Sequence, residues 1–240
     1  MAASVRLDEL QPRVRELADM ETAAAASHLV DDTELNRAIN RNLKRLYDKL
    51  IMVRGDDYYA TSSTISTVAA QAAYALPATF YQLLTVMAYD GSGNYRDLKR
   101  WGYKDLAALK SLEANSNSGL EWYRYRLVGT TVEIRPKPTA ATDTLEYHFI
   151  PTMTELANAS DTFDGVNGWE DWACYGAAVD MANKEESYEH AAALKAQQAE
   201  LTEAIRKLAG SRDAGRPQQV QDTRKDWSTR RRFGRNDWNY

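Results

Sequence analysis

The chain has 240 residues, 44% of them hydrophobic and 27% charged, which is ample for a globular core with or without an appendage and excludes a fibrous protein. No apolar run approaches a membrane span, and the opening stretch MAASVRLDELQPRVREL lacks the apolar segment of a secretory signal. The expectation is therefore a soluble intracellular product with no membrane contact. The formal net charge of −4 hides an asymmetry: from Arg212 onward eight Arg and Lys outnumber four Asp, so an acidic body, 1–211, carries a basic tail, 212–240.

In chain order, Val5 to Ala26 reads as a first helix, with Leu7, Leu10, Val14 and Leu17 at helical spacing and Pro12 tolerable near the first turn. After a break, Asp31 with Glu34 three residues on resembles a capping box that opens a second helix. Its apolar stripe is Leu35, Ile39, Leu43, Leu46 and Leu50, and Arg37, Arg41, Lys44, Arg45 and Lys49 cover the opposite side as a solvated face. Past Gly55 the texture turns β-branched and aromatic. Strands are expected at 61–68, 73–76, 82–89 and 95–98, with Asp90 to Asn94 as a hairpin turn. Tyr103 to Leu112 returns to helical spacing. Trp122 to Val128 and Thr131 to Arg135 form a hairpin around Gly129-Thr130, and a further strand places Leu145, Tyr147 and Phe149 on one face and Glu146 and His148 on the other.

The chain then enters a long helical pattern from Trp169 to Leu208. Its first half, to Ala182, is apolar all round and reads as a core helix. From Tyr188 the pattern thins to a seam of Tyr188, Ala191, Leu194, Leu201, Ile205 and Leu208, with Gln198 in the one polar slot, which should face a single neighbour. Gly210 supplies the stop.

Catalytic signatures are sparse. The Gly91-Ser92-Gly93 pair lacks the third glycine and following helix of a dinucleotide loop, and no phosphate-binding loop or serine-hydrolase elbow occurs. His28, His148 and His190 fall far apart, and Cys174 sits in the most apolar helix, so no zinc spacing exists and the thiol reads as a small buried hydrophobe. Asp161, Asp164, Glu170 and Asp171 could be drawn as a divalent-metal site, but turn formation and helix capping explain them better. No catalytic residue, metal ligand or cofactor is assigned.

The tail interleaves Arg224, Arg230, Arg231, Arg232 and Arg235 with Trp227, Phe233, Trp238 and Tyr240. A few aromatics cannot offset the conformational entropy of ordering so long a segment, so it is expected to fold only against a partner. Arginines with aromatics can stack on bases and pair with phosphates, or can anchor a protein interface.

Several segments together resemble tailed-bacteriophage head-to-tail adaptor, or connector, proteins. They are LNRAINRNLKRLYDKL (Leu35 to Leu50), YALPATF (Tyr74 to Phe80), YRLVGTTVEIRPKP (Tyr125 to Pro138), FDGVNGWEDWACYGAAVDMANKEES (Phe163 to Ser187) and RDAGRP (Arg212 to Pro217). The resemblance implies a virion protein made in the host cytoplasm, assembled as a dodecameric ring between the portal protein and a downstream tail or nozzle protein. It implies a channel through which viral DNA passes without specific binding, a C-terminal extension that docks on the portal, and no catalytic residues or cofactors.

The combined expectation is an α+β subunit: a helical bundle of two N-terminal helices and one long C-terminal helix, a small antiparallel sheet inserted at about 61–150, and an extended arm. The arm residues named above would dock on the portal, and the seam of Tyr188, Leu194, Leu201, Ile205 and Leu208 would pack on a subunit or the portal. The alternative is a nucleic-acid-binding protein that uses the basic, aromatic tail.

Overall fold

The computed structural model describes residues 4–20, 30–90, 92–114, 120–164 and 168–211, and side chains at all of these except 54–57, 210 and 211. The arm residues Arg224, Trp227, Arg230, Arg231, Arg232, Phe233, Arg235, Trp238 and Tyr240 lie outside the described residues, as does His28.

Among the described residues there are five α-helices and three sheets. The helices are α1 (Leu7–Leu17), α2 (Asp32–Tyr58), α3 (Leu106–Ala114), α4 (Glu170–Lys184) and α5 (Tyr188–Ser211). The strands are β1 (Ser4–Arg6), β2 (Thr61–Ser66), β3 (Ala73–Ala75), β4 (Phe80–Tyr89), β5 (Tyr95–Asp97), β6 (Lys99–Arg100), β7 (Arg124–Val128), β8 (Thr131–Arg135), β9 (Thr144–Pro151) and β10 (Thr162–Asp164). One four-stranded sheet has the order β2-β9-β4-β5, a second the order β3-β8-β7-β6, and β1 pairs with β10 alone.

This corrects the expected bundle with one small inserted antiparallel sheet. Tyr74, Val132 and Ile134 from one four-stranded sheet and Val86, Ala88, Leu145, Tyr147 and Phe149 from the other enclose a common core, so the inserted region is a double layer with an interior of its own. It is not wholly antiparallel either, because β6 runs parallel to β7. Alternation along a strand shows which face is buried but not which sheet the strand joins, so two layers read as one.

The helical half surrounds a second core. The α2 stripe is buried throughout, and α1, α4 and α5 close over it with Leu10, Val14, Trp172, Ala177, Leu194 and Ile205. Asp31 opens α2 as expected, its carboxylate accepting from the Glu34 N–H at 2.6 Å while its carbonyl accepts from Leu35 at 3.0 Å.

Two helical expectations are corrected. The first helix, α1, ends at Leu17, with Val5 in strand β1 instead; residues 21–26 of the expected range lie outside the described residues, and Pro12 lies inside α1 beyond the first turn, where it has no N–H to give to the Asp8 carbonyl. The long C-terminal helix is two helices. At the break Glu186 adopts φ +60°, Ser187 N–H reaches back to the Ala182 carbonyl at 2.9 Å, and the Ser187 carbonyl starts α5 by accepting from Ala191 at 3.0 Å. The reversal lets α5 fold back along α4, which a continuous helix cannot do.

The two halves are joined at α2. Asn40 donates to the Leu156 carbonyl at 2.9 Å and accepts from the Leu156 N–H at 2.8 Å, Tyr47 donates to the Pro151 carbonyl at 2.7 Å, and Tyr81 donates to Asp48 at 2.9 Å. Each bond ties the segment at the end of β9, or β4, to the helix that organises the other core.

Candidate functional site

The seam on α5 divides in two. Ala191, Leu194 and Ile205 are buried in the chain's own core and Leu201 packs against it, whereas Tyr188 and Leu208 are exposed, at 66% and 50%. Gln198 fills its polar slot for an internal reason: its amide donates to the Trp172 carbonyl of α4 at 3.0 Å. Trp172 in turn donates its indole N–H to Thr202 on α5 at 2.7 Å. Gly176 on α4 leaves room for side chains of both α2 and α5, since a Cβ there would overlap Asn42 Oδ1 and Gln198 Nε2. Beside that contact lies an open groove of about 380 Å³ lined by Asn42, Asp180, Tyr188, Lys195 and Gln198 among others.

The basic face of α2 is largely spent within the subunit. Arg41 pairs with Asp180 at 2.7 Å, Lys44 with Glu155, and Lys49 lies 5.2 Å from the centre of the Trp172 ring. These pairs tie α2 to α4 and to the segment after β9. Of the four carboxylates weighed as a metal site, Asp161, Glu170 and Asp171 have partners within the chain, whereas Asp164 keeps a buried oxygen without a hydrogen bond. Asp161 accepts from the Ala157 and Asn158 N–H groups at 2.8 Å each, which holds its pKa below the usual range. Asp171 pairs with Arg13 at 2.6 Å. Glu170 is buried 3.9 Å from the same guanidinium, and loss of hydration pushes its pKa up despite that neighbour. Among the described residues no group of His, Cys, Asp or Glu is arranged to hold a metal ion. Burial lifts the Cys174 thiol to about 12, so it carries no thiolate at neutral pH.

The sandwich presents two unlike edges. From Ala60 to Tyr89 the chain has no Asp, Glu, Lys or Arg, and this stretch supplies the edge strands β2 and β3. The opposite edge is made by β5 and β6 and is cationic, with Arg96, Lys99, Arg100 and Lys104 exposed. Arg126 of β7 lies 3.5 Å from the centre of the Tyr103 ring and 5.2 Å from that of Trp101. Sequence reasoning passed over this edge because its charges are split between a turn, two short strands and β7; the run YRDLKRWGYK (95–104) was the available signal.

Among the described residues no helix is long and apolar enough to cross a membrane. Two separate cores, helices bound to each other by ion pairs and a sandwich with dissimilar open edges describe a protein organised around contact surfaces. A family model described as SU10 adaptor protein matches residues 5–224, nearly the whole chain and part of the arm. The chain belongs to that family of phage head-to-tail adaptors, whose role is structural and whose place is the virion. No curated protein matches it.

Proposed function

We propose that this chain is the subunit of a dodecameric ring beneath the portal protein that prolongs the DNA channel and joins the capsid to a downstream tail or nozzle protein. The observation that carries the reading is the family match, which runs through the body and on into the arm to residue 224. The subunit is synthesised in the host cytoplasm and acts without a cofactor. The arm, 212–240, follows directly from α5 and docks on the portal through Trp227, Phe233, Trp238 and Tyr240 as anchors and Arg224, Arg230, Arg231, Arg232 and Arg235 as charge partners. Tyr188 and Leu208 widen that contact at the two ends of α5.

Truncation at Arg212 tests the docking. The shortened body is expected to stay folded by circular dichroism and to lose attachment to portal rings in a co-sedimentation assay. Undiminished attachment would overturn the arm mechanism. Negative-stain microscopy of the full chain with and without portal is expected to show rings of twelve on the portal; a monomer in both samples would overturn the adaptor reading.

A further inference from the structure

We propose that the β5–β6 edge of the sandwich, with the neighbouring outer side of β7, is a binding surface for the phosphate backbone of duplex DNA. Arg96, Lys99, Arg100, Lys104, Arg124 and Arg126 gather there. Register sets Lys99 beside Arg124 on adjacent strands, and Arg124 and Arg126 share one face of β7. Strands about 4.8 Å apart and a two-residue repeat of roughly 7 Å space Lys99, Arg124 and Arg126 regularly on the outer face, while Arg96 and Arg100, which pair with Ala88 and Tyr125 of the inner face, are exposed along the rim; such spacing suits a polymer with regularly spaced anions better than a single carboxylate. Among the described residues none of the six forms an ion pair. The acids nearest in the chain and across the sheet do not neutralise them. Glu133, opposite Arg126, is taken by Arg135 at 2.7 Å, and Asp105 accepts from the Gly102 N–H at 2.9 Å, which leaves Asp97 and Glu121 at the surface.

Edge strands often carry charge simply to discourage pairing with another sheet. That accounts for Arg96, Lys99 and Arg100, but not for Arg124 and Arg126 on β7, an interior strand, nor for the stacking of Arg126 on Tyr103. The opposite edge, β2, carries no charge at all, so edge protection is not applied evenly. An acidic body with one cationic strip would hold a duplex weakly and at one place, which is compatible with sliding.

The test is fluorescence anisotropy of a labelled 20-base-pair duplex with the full chain, in a salt series. Neutralising about three phosphates predicts a log–log slope near −3 and roughly a 50-fold loss of affinity between 50 and 200 mM salt. In R96A/K99A/R100A the slope is expected to become shallower by about 2 to 3 and affinity at 50 mM salt to fall at least 10-fold, the arm's arginines contributing equally to both proteins. R96K/R100K keeps the charge and should stay within about 3-fold of the parent. K195A/R206A/K207A removes equal charge from α5 and should have less than a third of the edge variant's effect on log K. Unchanged DNA affinity in the edge variant, or an equal loss in the α5 variant, would overturn the proposal. So would loss of low-salt self-association, by sedimentation, with DNA affinity intact, because the surface would then serve a protein partner. Portal attachment is read separately, so failure here leaves the adaptor reading standing and the reverse also holds.

Discussion

The helical half and the two edges of the sandwich treat charge differently. In the helices, cations are matched across elements: Arg15 with Asp32, Arg13 with Asp171, Arg41 with Asp180 and Lys184 with Glu34. In the sandwich, one edge has no charge and the other gathers cations that form no ion pairs among the described residues. Exposed pairs add little stability each, but pairs between elements fix how helices sit on one another. Charge left unmatched at a sheet edge is available to something outside the chain. The first half is thus built to hold its own geometry, and the second leaves surface for contact.

Substitutions can break or sharpen that contrast. The largest effect is expected at Leu43, fully buried at the centre of the α2 stripe: Leu43→Ala should cost about 2–5 kcal/mol in chemical denaturation. The counterpart Leu145→Ala in the sandwich, also fully buried, should cost a similar amount. If the joint makes the halves one cooperative unit, each change shifts a single transition; two separate transitions would show that the cores fold independently.

Gly176→Ala comes next, at about 1–3 kcal/mol, because the added methyl meets Asn42 and Gln198 and Asn42 is itself buried and donates to the Ala38 carbonyl. Unaltered stability would mean that the α2–α4–α5 contact yields easily. Asn40→Ala removes both bonds to Leu156 and should cost about 1–3 kcal/mol, with faster hydrogen exchange after β9 as its local sign. Tyr47→Phe should be milder than Asn40→Ala, at about 0.5–1.5 kcal/mol.

The smallest effect concerns pH. Glu170 has a folded-state pKa above its unfolded value, so the native state binds the extra proton and stability declines as pH rises from the unfolded pKa through the folded one. Glu170→Gln should therefore raise the melting temperature at pH 7 and flatten its fall with rising pH above about 4.3, the ordinary carboxylate value. A variant less stable than the parent at pH 7 would show that the Arg13 contact outweighs the loss of hydration.

Much of the fold was legible in the residues. The α2 stripe, the Asp31 cap, the Thr131 to Arg135 strand and the burial of Leu145, Tyr147 and Phe149 all follow from local spacing and are found as expected. The Asp90 turn is found too, with its carboxylate accepting from Ser92 and Asn94 N–H groups and Gly93 at φ +84°. Three features escaped. The break at Glu186 was missed although Asn183 to Ser187 carry no apolar residue and Ser187 ahead of an acidic first turn was a start signal. Strands β1 and β10 have only three residues each, too short for periodicity, and stand only because they pair with each other. The cationic edge was invisible as a site because its parts are up to thirty residues apart in the chain, from Arg96 to Arg126.

By itself the sequence determined where most of the longer helices and strands form, which of their faces turn inward, and that an acidic body carries a basic, aromatic end. Those are local properties, set by side-chain period, turn chemistry and charge count. Only the tertiary structure decided that the strands divide into two layers around a second core, that α5 folds back on α4 so that half of its seam is used internally, and that the α2 cations are spent on partners far along the chain. Each depends on which distant residues meet, and pairing between remote segments leaves no trace in the spacing of either one.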